Sequence, residues 1–295
     1  MKTGIYKSVT NEQYHADPAI SSTKLKKLAN STAYHFKYAL ENPQTMEGDS
    51  ILLGSLVHTL VGEPKKLMDQ YIIESQPLSD KTKLEKNGGS KGEWDAMKKQ
   101  SQDQGLPLVK HEIYRNGIAM RNSVFAHPLW QVMADRQKAE ISLFAEIEGI
   151  PVKARYDLLI GDTIIDLKST RESLDNENLS RVIAKLGYHF SAAMYIEVGK
   201  ALSLPMKKFR WIFVENTAPF ACRFVEASEE MLETGKQEFY ACLEVYKSCK
   251  NSNNWPGYTQ NIEQLSLPVW YKNKEFFLGE NNESDNQDDG ETNEI

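Results

Sequence analysis

The sequence predicts an α/β fold in which one sheet carries helices on both of its faces. Segments of helical periodicity lie on either side of a central run of strand-like segments, and no linker divides the body of the chain into two cores. The 295 residues permit one large domain or two small ones, and the 40% hydrophobic content excludes the disordered and fibrous classes. We therefore expect one domain over residues 1–278.

The first predicted helix starts near Ser21. Ser21, Ser22 or Thr23 can cap it, because a side-chain oxygen there accepts hydrogen bonds from the first free backbone N–H groups. Apolar residues follow at roughly helical spacing up to Leu40, and Asn42-Pro43 marks the end. The pattern predicts one continuous helix.

Two further helices flank a polar segment. The first covers about residues 50–61, and the second covers about residues 110–126. Between them, residues 79–107 are polar and centre on Gly88-Gly89. We interpret this segment as a mobile insertion with a short helical piece around residues 94–99.

The centre of the chain changes to a period of two. Residues 139–148 alternate polar and apolar side chains, as a half-buried strand does. Two more strands follow over residues 152–160 and 163–168, and Gly161-Asp162 between them is typical of a tight hairpin turn. These strands are expected to form an antiparallel meander.

The C-terminal part of the body returns to mixed elements. A long helix is predicted over about residues 179–201, and an amphipathic helix over about residues 228–249. Between them, residues 209–215 predict a strand whose hairpin partner covers residues 220–225.

The net charge of −6 is concentrated at the C-terminus. Residues 279–295 hold seven acidic residues and no Lys or Arg, so they cannot bury a core and are predicted to form a disordered acidic tail. The rest of the chain keeps 34 of the 41 acidic residues against 35 basic ones. This near-neutral body neither requires nor excludes DNA binding.

The cysteines and the apolar runs exclude several protein classes. Cys222, Cys242 and Cys249 are scattered and form no CxxC pair, which argues against a disulfide framework, a closed zinc site or a four-cysteine iron–sulfur cluster. No apolar signal segment follows the first residue, and the run Ile51–Val61 is too short to cross a bilayer. We expect a cytoplasmic protein with no membrane association.

Asp157, Asp166 and Lys168 are the clearest candidates for a functional site. Residues two apart in a strand point to the same face, so Asp166 and Lys168 project together while Leu167 points into the core. The turn at Gly161-Asp162 folds the strands back and brings Asp157 near Asp166. Two carboxylates and one ammonium group are then expected to share one face.

This group of charges suits metal-assisted cleavage of a phosphodiester. Carboxylate oxygens bind Mg²⁺, the cation polarises the phosphate and acidifies its water, and a lysine can position or deprotonate that water. The alternative is a solvated strand face with an incidental salt bridge. Asp166 lies among Ile164, Ile165 and Leu167, where charges are rarely placed without a partner, and this favours the functional interpretation.

Glu140 and His58 each permit two interpretations. Glu140 opens the strand before Asp157 and is either a third acid of the site or a solvent-facing residue. His58 lies in an apolar helix, where a histidine is more often a core residue than a metal ligand. Gly54 shares its helix face and permits a close approach.

One face of the long helix is a further candidate. Tyr188, Ser191, Ala192 and Tyr195 lie on it by their spacing. The face either packs on the sheet with the tyrosine hydroxyls at its edge, or forms a polar rim that contacts phosphate or holds Lys168.

The order of these motifs resembles a known family. Asp157 followed by Asp166-Leu167-Lys168 resembles the PD-(D/E)xK nuclease superfamily, and Gly54 to His58 is similar to the GxxxH segment of its RecB-type subgroup. The set as a whole closely resembles the RecE-type (exonuclease VIII) C-terminal nuclease domain. The matching segments are Ile20–Leu28, Leu53–Leu60, Lys153–Asp157, Ile165–Thr170 and Tyr188-His189 with Tyr195.

The resemblance implies a restriction-endonuclease-like fold, with a central mixed sheet flanked by helices on both faces. It implies a processive 5′→3′ exonuclease on linear double-stranded DNA that depends on Mg²⁺, with Mn²⁺ as a substitute. It also implies 3′ single-stranded tails for a strand-annealing partner in recombination, and a ring-like homo-oligomer, most simply a tetramer, threaded by the DNA.

The resemblance also assigns roles to single residues. Lys168 serves the attacking water, and Glu140 assists a metal or the water. The implied metal ligands are His58, Asp157, Asp166 and the backbone carbonyl of Leu167, with Glu140 as a further one.

The implied DNA contacts come from Ser22, Tyr188, Ser191 and Tyr195. Ser191 departs from the family pattern, which usually has a glutamine four residues before the tyrosine. The serine side chain is shorter than that glutamine.

Two other functions would be compatible with the same fold. A structure-specific endonuclease of the superfamily would use the same metal residues but needs base-reading elements, which we do not identify. A non-catalytic DNA-binding protein on a nuclease fold would be favoured by loss of Asp166 or Lys168, and both are present.

Overall fold

The structure, a computed structural model, describes residues 1–43, 48–74, 89–133 and 138–272. The chain divides into two compact units, Met1–Gly257 and Tyr258–Ile295. The predicted domain end at residue 278 falls within the second unit, and the predicted tail, residues 279–295, lies outside the described residues.

Most strands of the described residues join one seven-stranded sheet. The strands are β1 (Gly4–Tyr6), β2 (Ile20–Ser21), β3 (Ile72–Ile73), β4 (Leu108–Val109), β5 (Lys138–Ile147), β6 (Ile150–Ile160), β7 (Thr163–Thr170), β8 (Lys208–Glu215) and β9 (Cys222–Glu226). The order in the large sheet is β1-β5-β6-β7-β8-β9, with β2 paired to β6, while β3 and β4 form a small parallel pair. The sheet is mixed, because β5, β6 and β7 are antiparallel and β7 is parallel to β8.

Helices of the first unit cover both faces of this sheet. The helices are α1 (Asn11–Ala16), α2 (Ser22–Ala29), α3 (Ala33–Glu41), α4 (Asp49–Gly62), α5 (Leu67–Gln70), α6 (Gly89–Gln104), α7 (His111–Ala126), α8 (Pro128–Met133), α9 (Asn176–Leu186), α10 (Tyr188–Ala201), α11 (Glu229–Ser252) and, in the second unit, α12 (Val269–Lys272). Pro64–Lys66 forms a short 3-10 turn.

Two apolar cores lie on opposite faces of the sheet. One joins α2, α10 and α11 to the strands, and the other joins α4, α7 and α8. Successive residues of β7 divide between them, since Ile164 packs in the first core and Ile165 in the second. The predicted α/β class, with a central mixed sheet and helices on both faces, is confirmed.

The prediction of one helix from residue 21 to residue 41 is wrong. The chain breaks between α2 and α3, where three polar side chains bond to nearby backbone. Asn30 Nδ2 donates to Lys26 O, Ser31 Oγ donates to Lys27 O, and Thr32 Oγ1 accepts from the N–H of His35. These local bonds compete with helical ones and start a new helix at Ala33.

The prediction of one helix over residues 179–201 is also wrong. Gly187 adopts a φ of +60° between α9 and α10, and its N–H closes the last turn of α9 by donating to Ala184 O. A left-handed glycine is the usual end of a helix, and here a second helix begins directly after it.

The remaining predictions agree with the structure to within a few residues. The meander β5-β6-β7 is present, and Gly161 has the positive φ that its turn requires. Helix α6 is longer than the piece expected at residues 94–99, and residues 75–88 of that region lie outside the described residues. Strands β1 to β4 and the short helices α1, α5 and α8 were not predicted. Within the described ranges, no helix is both long and apolar enough to cross a membrane.

Candidate active site

The candidate site lies where β6 and β7 separate. Their pairing ends at Leu158–Ile165, whereas β7 continues beside β8 as far as Thr170. Asp157 stands at the point of separation, and its carboxylate accepts a hydrogen bond from the Leu167 N–H at 2.7 Å. A carboxylate thus takes the place of a strand acceptor and lies in the gap between the two strands.

The neighbouring strand is distorted at the same level. Glu140 has a φ of +48°, and no backbone pair forms between it and Asp157, although Ala139 pairs with Leu158 and Ile141 pairs with Tyr156. Ala139 packs in the α4 core and Ile141 in the opposite core, so the side chains change face at Glu140. Positive φ is uncommon for a glutamate, and such outliers cluster at functional sites.

Helix α4 brings a histidine to these two acids. His58 Nδ1 lies 3.2 Å from Asp157 Oδ2. One ligand atom each from His58, Glu140 and Asp157 falls within 4.8 Å of the others. Gly54, one turn earlier, lies against β7, where an added Cβ would meet Ser169 Oγ at 3.5 Å. The helix therefore packs directly over the end of the strand that carries Asp166 and Lys168.

Asp166 and Lys168 form an ion pair beside this cluster. Lys168 Nζ lies 2.5 Å from Asp166 Oδ2 and donates to Leu167 O at 3.3 Å. The Lys168 ammonium also lies 5.4 Å from the centre of the Tyr188 ring on α10. The structure therefore brings Asp157, Asp166 and Lys168 together, as expected. Within the site, Lys168 pairs with Asp166, and Asp157 pairs with His58.

The acids of the site carry opposite pKa shifts. Burial disfavours ionised Asp157, but His58, Lys168 and the Leu167 N–H together lower its pKa to about 2. Burial and the charge of Asp157 raise the pKa of Glu140 to about 7, and burial raises the pKa of Asp166. Burial therefore favours the neutral forms of Glu140 and Asp166, whereas the groups around Asp157 keep that acid ionised.

The three donors fit a divalent cation. An imidazole nitrogen and two carboxylate oxygens are common ligands of such ions, and a cation would offset the burial and the Asp157 charge that raise the Glu140 pKa. A cavity of about 10 Å³ lies beside them, lined by His58, Glu140, Asp157, Leu167, Leu158, Val61 and Gly62. It suits an ion or a water molecule and is far too small for a nucleotide.

The chain matches a described protein family over most of its length. Residues 21–268 fit the family described as a PDDEXK-like domain of unknown function (DUF3799). The chain belongs to this family. Membership confirms the predicted PD-(D/E)xK resemblance and the restriction-endonuclease-like fold. No curated protein matches the sequence.

A solved structure shares the PDDEXK-like fold. A protein from Eubacterium rectale, named "Putative exonuclease", is similar over 90% of this chain and 98% of its own, with a TM-score of 0.61 and 13% identity. A second structure, SSO0001, is similar over 40% of this chain and 55% of its own, with 14% identity, but its TM-score of 0.26 is too low to indicate a common fold.

The residues expected to contact DNA lie in different surroundings, some beside the site and some buried. Tyr188 lies beside Lys168, in agreement with the interpretation that this helix face holds Lys168. Ser191 Oγ donates to the carbonyl of Gly187, the residue that precedes its own helix, at 3.4 Å. Ser22 is buried and bonded to Tyr195, so its side chain turns inward and not towards solvent, where DNA would meet it. The expectation that Ser22 contacts DNA finds no support in this placement.

Two basic residues near the site were missed by the sequence reasoning. Arg155 Nε lies 4.0 Å from Glu140 Oε2. Arg155 is two residues before Asp157 in the same strand, and this spacing could have indicated that the two side chains lie on one face. Lys26 bonds to Leu186 O, 160 residues away in the chain, and no local pattern predicts that contact.

Proposed function

We propose that the chain is a divalent-metal-dependent deoxyribonuclease that digests linear double-stranded DNA from its ends. The observation that carries the proposal is the grouping of His58, Glu140 and Asp157 at the opening between β6 and β7, with Lys168 beside them. Three ligands of this kind next to a cationic donor meet the needs of phosphodiester hydrolysis.

The proposed roles follow from the contacts of each side chain. His58, Glu140 and Asp157 would hold the cation, and when bound it would polarise the phosphate and acidify a water molecule. Asp166 uses Oδ2 for Lys168, and the RecE-type resemblance adds the Asp166 carboxylate and the Leu167 carbonyl as further groups that would hold the metal. Both residues also contact Lys168, so they would link the metal to the lysine.

Lys168 acts as a cationic hydrogen-bond donor. Burial favours the neutral amine, but Asp166 and Asp157 outweigh it and raise the pKa of Lys168 above its ordinary value. A lysine that stays protonated orients the attacking water and stabilises the negative charge that develops on the phosphoryl oxygens. Of the two roles considered for this residue, we therefore propose positioning and charge stabilisation, not proton abstraction.

The finer features of the activity rest on the RecE-type resemblance. It supports 5′→3′ digestion with Mg²⁺, or Mn²⁺ in its place, to leave 3′ single-stranded tails. It also supports transfer of those tails to a single-strand annealing protein in the cytoplasm, and a tetrameric ring that keeps the enzyme on its DNA.

Digestion of matched plasmid substrates tests the proposal. With Mg²⁺, the purified chain should degrade linear duplex DNA, spare covalently closed circles, and release label first from the 5′ ends. Cutting of closed circles would indicate an endonuclease, and binding without cutting in Mg²⁺ and Mn²⁺ would indicate a non-catalytic DNA-binding protein. Either result would overturn the proposed activity.

A further inference from the structure

A second lysine lies beside the site. Lys26 projects from α2, and its Nζ is 5.6 Å from the centre of the Tyr188 ring. The Nζ of Lys168 is 5.4 Å from the centre of the same ring. One tyrosine therefore contacts two ammonium groups, of which only Lys168 has a carboxylate at ion-pair distance among the described residues.

Lys26 uses only part of its hydrogen-bonding capacity on the described residues. An ammonium group carries three N–H donors, and within the described ranges the protein acceptor of Lys26 is the Leu186 carbonyl, at 2.9 Å. Burial and the nearby charge of Lys168 lower the pKa of Lys26 to about 8. An anion placed beside Lys26 could accept from its remaining N–H groups and would offset both the burial and the charge of Lys168.

The fold holds Lys26 at this position through a close backbone contact. A Cβ added to Gly187 would come within 2.8 Å of Lys26 Cδ. The break between α9 and α10 therefore leaves the room that the lysine side chain needs to reach Leu186 O. The placement differs from that of Lys27, the next residue, which is exposed on another side of α2.

We propose that Lys26 binds a backbone phosphate of the DNA adjacent to the phosphate that is cleaved. This inference rests on the proposed function, because it takes DNA as the ligand of the site. Lys26 and Lys168, whose ammonium groups both lie close to the Tyr188 ring, would contact successive phosphates of one strand. The contact is to the backbone and carries no sequence preference.

The salt dependence of DNA binding tests this assignment. Affinity for a fluorescent linear duplex is measured between 50 and 200 mM salt, with Ca²⁺ in place of Mg²⁺ so that the DNA stays intact. Loss of one phosphate contact reduces the salt slope by about 0.9, so wild-type affinity should fall about 3.5-fold more than that of Lys26→Gln over this range. Lys26→Arg should keep the wild-type slope, and so should the control Lys27→Gln.

The outcomes separate this proposal from the proposed function. A wild-type slope for folded Lys26→Gln, with only a lower Tm, would show that Lys26 merely ties α2 to the turn before α10, and would overturn the assignment. A chain that binds DNA without cutting it contradicts the nuclease proposal alone, because the slopes still test Lys26. A chain that binds no DNA contradicts both.

Discussion

Asp157 serves both the fold and the site. Its carboxylate accepts the Leu167 N–H at 2.7 Å, at a level where β6 no longer offers a backbone partner, and it lies 3.2 Å from His58 Nδ1. A buried N–H without an acceptor is costly, so the carboxylate stabilises the opening between the strands while it stays available to a cation.

Asp157→Asn should weaken metal binding without unfolding the chain. The amide oxygen can still accept the Leu167 N–H, and relief of the repulsion with Glu140 partly offsets loss of the attraction to His58 and Lys168. We expect Mn²⁺ affinity, measured by titration calorimetry, to fall about tenfold or more, with only a modest fall in Tm. Asp103→Asn, on the exposed side of α6, is the control, and equal Mn²⁺ affinity in both variants would contradict the ligand assignment.

Arg155 links the N-terminal segment to the acid Glu140. It donates to Ser142 Oγ at 3.0 Å and to the carbonyls of Val9 and Thr10 at 3.1 and 3.3 Å, and it lies 4.0 Å from Glu140. One side chain therefore joins the start of the chain to the acid whose backbone is distorted.

Arg155→Met should lower the free energy of unfolding by about 2–3 kcal/mol, because the carbonyls that it contacts lose a charged donor. Denaturant unfolding measures the change. Arg210→Met removes an exposed ion pair with Glu226 and should cost less than about 1 kcal/mol. If both variants lost a similar free energy of unfolding, Arg155 would stabilise the fold no more than an exposed ion pair does.

At the scale of elements, α10 is held in place by close contact with α11. A Cβ added to Gly235 of α11 would lie 2.4 Å from His189 O and 3.1 Å from Phe190 N. Both atoms belong to backbone and cannot turn aside. The same helix, α10, carries Tyr188, so the packing at Gly235 also sets where that ring meets Lys168.

Gly235→Ala should therefore separate the two helices and lower the free energy of unfolding by about 1–3 kcal/mol. Gly92→Ala is the matched control, because Gly92 is also helical and a Cβ there would meet nothing within 4 Å. Alanine favours helix over glycine by up to about 1 kcal/mol, so the control should be unchanged or more stable. Equal destabilisation of both variants in urea would contradict the packing argument.

The elements that could be predicted are those whose signal is local. The alternation in β5, β6 and β7 and the Gly161-Asp162 turn lie within 40 residues, and they sufficed to place Asp157, Asp166 and Lys168 together. Membership of a PDDEXK-like family agrees with that grouping. His58 required the resemblance, because a histidine in an apolar helix has no local feature that distinguishes a ligand from a core residue.

The elements that could not be predicted depend on tertiary contacts. The apolar period runs through residues 179–201 without a change, so only the left-handed φ of Gly187 reveals that α9 and α10 are separate. The two residues of β2 are too few to show a period, and they form a strand because β6 pairs with them. Lys26 reaches the site only because α2 packs beside this same break.

At the scale of the whole molecule, the proposed exonuclease is expected to act as a ring. The RecE-type resemblance implies a tetramer, so light scattering should give four times the chain mass of 33.6 kDa. A mass of one chain at working concentrations would remove the threaded ring as an explanation of processive digestion, although the metal site would be unaffected.

The central claim, a metal-dependent nuclease site completed by Lys168, is tested most directly by single-turnover cleavage of linear duplex DNA in saturating Mg²⁺. Lys168→Ala should cleave about 100-fold or more slowly than the wild type, because one cationic donor to the developing charge is lost. The control Lys247→Ala, which removes a half-buried lysine 4.0 Å from Glu148, should cleave at the wild-type rate. Cleavage by Lys168→Ala at the wild-type rate would contradict the account.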